Sequence, residues 1–126
     1  MGWPMTTPRL NHTRISIPAD PGNLDVLRLV VRNACARRES SVDEIDDAAL
    51  AVHEAGLAFI EAGAERIEME IDEVAENLDV TITADGKLDL ALDSMSFRII
   101  ETLTESFETG AADGATTLRL RIRLGT

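Results

Sequence analysis

Aromatic residues are scarce in this chain. Of its 126 residues only Trp3 and three phenylalanines are aromatic, and tyrosine is absent. The core must therefore consist mainly of leucine, isoleucine, valine and alanine, which suits helices packed on a sheet. A single cysteine, Cys35, excludes an internal disulfide and is typical of a reducing compartment.

Long apolar runs are also missing. No stretch approaches the roughly 20 apolar residues that span a bilayer, and the polar start of the chain lacks the apolar segment of a signal peptide. We therefore expect a cytoplasmic protein with no membrane contact. The length predicts a single domain over residues 13–126, preceded by a disordered, proline-interrupted leader over residues 1–12.

Basic residues are few and unevenly placed. The net charge is −11, and residues 41–115 carry twenty acidic side chains against three basic ones. A protein that binds DNA or RNA needs a dominant basic surface, so direct nucleic-acid binding is not expected. The acidic surface either attracts a basic protein partner or only keeps the chain soluble, and composition does not choose between the two.

Apolar residues alternate with polar ones in four stretches. This period of two predicts a strand over residues 13–18, a hairpin of two strands within residues 67–83 and a last strand over residues 118–124. Each strand has one apolar and one polar face. We therefore expect helices to cover one side of a mostly antiparallel sheet.

Helical spacing appears in three other stretches. A first helix follows Asn23, and a second begins at a capping box, Ser41 to Glu44, and ends near Gly63. A third is predicted from about Ser94 to Phe107. The predicted fold class is α+β, a two-layer sandwich with about three helices on one face of the sheet.

This order of elements and the local sequence resemble a family, the anti-sigma-factor serine kinases of the RsbW and SpoIIAB type in the GHKL superfamily of ATP-binding, Bergerat-like folds. The resemblance covers about residues 15–124. It is carried by four segments: Ile17-Pro18-Ala19, Asp43-Glu44-Ile45-Asp46-Asp47, Ala51-Val52-His53-Glu54-Ala55 and Ile100-Glu101-Thr102-Leu103. It implies a bacterial regulator of transcription that acts by partner switching in a stress response.

The family's metal-binding motif is degenerate here. Active members have the form E-x-x-x-N, in which the glutamate is the general base and the asparagine helps to hold Mg²⁺. Glu54 matches the glutamate, whereas Ala58 replaces the asparagine. Since residues four apart share a helix face, this helix presents a base without its metal partner.

The phosphate and adenine motifs are degenerate as well. The family's Gly-x-Gly, whose backbone approaches the phosphates, aligns with Ser94-Met95-Ser96, where side chains obstruct that approach. The aspartate-glycine motif that contacts adenine survives at best as Asp85-Gly86. Only eight residues separate Asp85 from Ser94, where the family has a long ATP lid.

The resemblance therefore predicts a pseudokinase that binds neither ATP nor Mg²⁺ and has no catalytic residue. It implies sequestration of a sigma factor, release by a STAS-domain anti-anti-sigma factor, and a homodimer. Arg28 matches a sigma-binding arginine of the family, and Arg32 lies one turn further on the same helix face. Two alternatives stay open: an active kinase that phosphorylates a STAS protein with ATP and Mg²⁺, and a scaffold that binds only the STAS protein.

Several of these residues also have purely structural interpretations. In that interpretation Glu54 is an acid that lines a cleft and Asp85-Gly86 is an ordinary turn. Arg28 and Arg32 then belong to a solvated helix face. Cys35 lies on an apolar stripe and is expected in the core. His53 is not expected to bind metal, because only acids lie within reach on its helix. The alternating arginines of the last strand either receive an acidic partner or pair across the sheet: Arg119, Arg121 and Arg123 with Glu68, Glu70 or Asp72.

Overall fold

The computed structural model describes residues 11–124. Its elements in chain order are β1 (Asn11–Pro18), α1 (Leu24–Ala36), α2 (Val42–Glu61), β2 (Arg66–Val74), β3 (Asn77–Asp85), α3 (Met95–Leu103), β4 (Ser106–Ala112) and β5 (Ala115–Arg123). The predicted leader falls largely outside the described residues, but its last two residues already belong to β1. Within residues 11–124 no helix is long and apolar enough to cross a membrane.

The five strands form one antiparallel sheet in the order β1-β2-β3-β5-β4. The inward residues of the central strands are apolar and buried, and neighbours such as Met69 with Ile82, and Val80 with Leu120, stand opposite each other. The three helices cover this apolar face. The predicted α+β sandwich is therefore confirmed.

The first two helices pack closely because α2 has a glycine at their contact. A side-chain carbon added at Gly56 would lie 2.7 Å from Leu24 Cδ2 and 2.8 Å from Leu27 Cδ1, and both leucines are buried. The start of α2 is fixed by the predicted capping box. The Glu44 backbone donates to Ser41 Oγ (3.1 Å), and the Ser41 backbone donates to Glu44 Oε1 (2.8 Å).

The polar face of the sheet is crossed by ion pairs, but not those predicted for the last strand. Because β5 lies between β3 and β4, its arginines cannot reach β2. Arg121 instead binds Asp79 of β3 through two hydrogen bonds of 2.9 Å each. Arg119 faces Glu108 on β4, and Arg123 faces the acids Glu76 and Glu105.

The prediction for the third helix was wrong at its C-terminal end. The helix stops at Leu103, since Thr104 is extended (φ −117°, ψ 155°), and Phe107 lies in β4. Pairing with β5 outweighs helical spacing here, because the Asp113-Gly114 turn brings the two strands together. Phe107 still packs against α3, with its ring centroid 5.6 Å from that of Phe97.

The α1–α2 contact leads to a stability prediction. Gly56→Val places extra atoms between two buried leucines, and overpacking of this kind costs about 1–3 kcal/mol. We expect a loss of that size in the free energy of unfolding, measured by urea denaturation. The control is Ala36→Val at an exposed position of α1, which should stay within about 0.5 kcal/mol of the wild type. Equal stability of both variants would contradict the close contact.

Candidate functional site

The candidate site lies where α2 meets the first turn of α3. Ser96 Oγ donates a hydrogen bond of 2.8 Å to Glu54 Oε1. Ser96 is buried and Glu54 is half-buried. The structure therefore brings together two residues that the sequence resemblance aligned with different motifs, Glu54 with the general base and Ser96 with the second glycine of the phosphate loop.

Ala58 lies one turn beyond Glu54 and is buried in the core. Its methyl group offers no oxygen to a cation, and Mg²⁺ prefers oxygen ligands in octahedral geometry. Across residues 11–124 no three histidine, cysteine or acidic side chains come close enough together to hold a metal ion. His53, next to Glu54, has its Nδ1 buried without a hydrogen-bond partner in the described structure.

The connection between β3 and α3 is short and is held down on the sheet. Thr116 of β5 is buried and its hydroxyl bridges two loop positions, donating to the Gly86 carbonyl (2.8 Å) and accepting from the Leu88 backbone (2.9 Å). Leu90, in the middle of the loop, is buried in the core. This loop is therefore part of the packed structure.

Sequence reasoning did not identify Thr116 as an anchor. The alternation along β5 was a signal for it. Thr116 lies two, four and six positions before Leu118, Leu120 and Ile122, so it lies on the same face of the strand and faces the helices with them. A hydroxyl at such a position needs a hydrogen-bond partner, and the nearby loop backbone provides it.

The adenine motif lies apart from the Glu54–Ser96 pair. Asp85 is the last residue of β3, and Gly86 has φ +97°, a turn geometry in which its backbone donates to the Gly114 carbonyl (2.7 Å). Asp85 lines a polar cavity of about 330 Å³ with Gly63, Glu65 and Arg66. The structure therefore brings Glu54 and Ser96 together but places Asp85 in different surroundings.

The two arginines proposed for partner binding lie one turn apart on α1, and each is in an ion pair. Arg28 pairs with Asp25 on the same helix, and Arg32 donates to Asp46 of α2 at 2.9 Å. These pairs are well exposed to solvent. Exposed pairs contribute about 0–1 kcal/mol, so a partner's carboxylate could replace either acid at little cost.

Cys35 is fully buried on the inner face of α1. Burial raises the pKa of its thiol to about 11, and the nearby carboxylates Glu44 and Glu73 add to the rise. The thiol is therefore protonated at neutral pH, which fits the predicted core position.

The residues at the candidate site do not fit a magnesium-bound triphosphate. Ala58, which the resemblance aligns with a metal ligand, carries only a buried methyl group. Ser96, which it aligns with the phosphate loop, is bonded to Glu54, and the β3–α3 loop is bonded to Thr116 of the sheet. What remains chemically is a carboxylate in a hydrogen bond.

Comparison with known proteins extends the fold assignment. The sequence matches no protein-family model and no curated protein. Among solved structures it is similar to the crystal structure of the RsbU and RsbW domains of Rv1364c from Mycobacterium tuberculosis, with a TM-score of 0.73 and 18% sequence identity. The match covers 90% of this chain and 32% of the other, so this chain spans about a third of the length of the chain in that structure. This likeness shows that the chain shares its fold, an antiparallel sheet covered on one face by three helices, with part of that structure.

The raised pKa of Cys35 predicts slow labelling of the folded protein. A thiol-reactive disulfide reagent at pH 8 should react about a hundredfold more slowly than in guanidinium, because attack requires the thiolate and the folded state disfavours it. The pKa of the Cys35 thiol in the folded protein, about 11, lies above its ordinary value of 9.0. The free energy of unfolding should therefore also fall as the pH rises from about 9 to about 11, and it should fall less in Cys35→Ala. Equal labelling rates in both conditions would contradict the buried thiol.

Proposed function

We propose that this protein is a partner-switching regulator that acts by protein binding alone. In this proposal it sequesters a sigma factor in the cytoplasm, a STAS-domain anti-anti-sigma factor releases it, and it is a homodimer. It phosphorylates nothing. The observation that carries the proposal is the hydrogen bond from Ser96 to Glu54 across the place where the GHKL fold would receive phosphates.

Three features support the loss of kinase activity. Phosphoryl transfer depends almost entirely on positioning and charge stabilisation. Ala58 removes a metal ligand, Ser96 fills space that glycine would leave to the phosphates, and the loop anchored by Thr116 cannot cover a nucleotide while it packs on the sheet. Each change acts on a different part of the nucleotide, so reversing one of them would not restore binding.

One observation favours the alternative, a kinase that phosphorylates a STAS protein with ATP and Mg²⁺. Glu54 is retained and is half-buried rather than sealed in the core. A carboxylate in this position could accept a proton from a serine hydroxyl. The third candidate, a scaffold that binds only the STAS protein, needs none of these residues. Measurements of nucleotide and partner binding separate the three.

Calorimetry with ATP and Mg²⁺ tests the loss of nucleotide binding. We expect no saturable heat from the wild type at millimolar ATP. The matched variant Ala58→Asn with Ser96→Gly restores the metal ligand and clears the phosphate position but keeps the short loop, and we expect it to bind weakly at most. Micromolar affinity of the wild type would overturn the proposal in favour of the kinase.

Complex formation with the sigma factors and STAS-domain proteins of the same organism tests the binding role. We expect a stable sigma complex at moderate salt and its displacement by a STAS protein. Arg28→Glu with Arg32→Glu should weaken the sigma complex about tenfold or more, since each reversal places like charges at a contact. Arg66→Glu, on the sheet face, is the control and should have little effect. Binding to a STAS protein but to no sigma factor would identify the scaffold instead.

A further inference from the structure

An apolar groove runs along the outer side of α2 and α3. It has a volume of about 240 Å³ and is lined by Leu50, Met95, Arg98, Ile99, Thr102 and Leu103. We call it the α2/α3 groove. Leu50 is 43% exposed and Met95 is 66% exposed. Large apolar side chains that share one groove on a surface are typical of an interaction site.

We propose that the α2/α3 groove binds a positively charged amphipathic helix of another protein, an inference that rests on the proposed protein-binding function. The shape of the groove supports a helix. Met95, Ile99 and Leu103 follow one another at intervals of four residues, which gives an apolar stripe about 12 Å long beside Leu50. A helix of the partner can place a row of its side chains between α2 and α3, as ridges pack into grooves between helices.

An extended strand fits this surface less well. A bound strand gains its affinity from main-chain hydrogen bonds to a free sheet edge. The backbone groups of α2 and α3 are used within the helices, so the groove offers side-chain contacts only. A ligand that keeps its own backbone bonds satisfied is therefore required.

The charges around the groove are mainly acidic: Arg98 is the one basic residue of its lining, and the acids of α2 outnumber it. Three acids of α2 lie on the side that faces the groove together with Leu50. Asp43 is seven residues before Leu50, Asp47 is three residues before it and Glu54 is four residues after it. Asp43 and Asp47 are exposed and form no ion pair within the described residues. α2 contains six acidic residues and no lysine or arginine. A ligand with lysine or arginine beside its apolar stripe complements this rim.

The same charges disfavour a second copy of this chain as the occupant of the groove. A second copy offers another α2 with six acids and no lysine or arginine, and each chain carries a net charge of −11. Opposed like charges cost free energy and slow encounter. The partner is therefore a different, basic protein.

Fluorescence anisotropy with a synthetic probe tests the proposal. The probe is a labelled helical peptide of about 18 residues, long enough to form a helix on binding, with leucines three and four residues apart and lysines elsewhere. We expect saturable binding to the full chain that weakens as salt increases. A peptide of the same composition in an order that breaks the helical spacing should bind at least about tenfold more weakly, and a peptide with glutamate for lysine should not bind.

Matched variants locate the binding. Leu50→Gln should weaken the peptide affinity about tenfold, whereas Leu29→Gln, at the 68% exposed leucine of α1, should change it less than about twofold. Asp47→Asn should weaken binding at low salt, and Asp113→Asn in the β4–β5 turn should not. Unfolding midpoints of all four variants verify that they fold.

Absence of saturable binding, equal binding of the scrambled peptide, or equal effects of the Leu50 and Leu29 variants would each overturn the groove assignment. These outcomes are distinguishable from failure of the proposed function. ATP binding by the wild type would overturn the function without affecting the dependence on Leu50. Loss of that dependence would leave a sigma or STAS complex intact.

Discussion

The hydrogen bond between Ser96 and Glu54 depends on how the chain connects β3 to α3. Only nine residues, 86–94, join the two elements, and Leu90 and Thr116 hold that connection on the sheet. The first turn of α3 consequently lies against α2, where a serine hydroxyl reaches the acid at 2.8 Å. In the proposed function this space corresponds to the phosphate site of an ATP-binding relative. In this protein the hydroxyl of Ser96 and the carboxylate of Glu54 meet there, and they form part of the packing between two helices.

Charge is distributed unequally between the two faces of the molecule. On the open face of the sheet acids and bases alternate between strands, as in the pairs Arg14–Glu68 and Arg121–Asp79, and most of that charge is balanced locally. On the helical side α2 has no such balance, because it carries six acids and no lysine or arginine, whereas α1 carries Arg28 and Arg32. A region of negative potential therefore lies along α2, where it can attract a basic partner.

Most of the fold could be predicted from local patterns, and the exceptions have physical reasons. The capping box at Ser41 and the alternation in β2, β3 and β5 are local signals, and the structure follows them. The end of α3 was missed because Phe107 satisfies helical spacing, while its actual position depends on pairing with β5, a contact across the Asp113-Gly114 turn. The partners of Arg121 were missed for a related reason, since they depend on strand order. At the candidate site the identities of Glu54, Ala58 and Ser96 came from the resemblance, but the direct contact between Glu54 and Ser96 required the structure.

The proposed loss of nucleotide binding would constrain how a regulator of this kind can be switched. A ligand shifts a binding equilibrium only by its difference in affinity for the two states. If no nucleotide binds, the energy of ATP cannot change the affinity of this protein for a partner, and covalent inactivation of an antagonist is not available to it either. Release of the first partner must then come from a second protein, through overlap of their sites or through coupling between them. The α2–α3 contact offers a route for such coupling, because the α2/α3 groove and the Glu54–Ser96 bond share both helices. A partner seated in the groove and one held at α1 would then communicate through the position of α2, which packs on α1 through Gly56 and on α3 through Glu54.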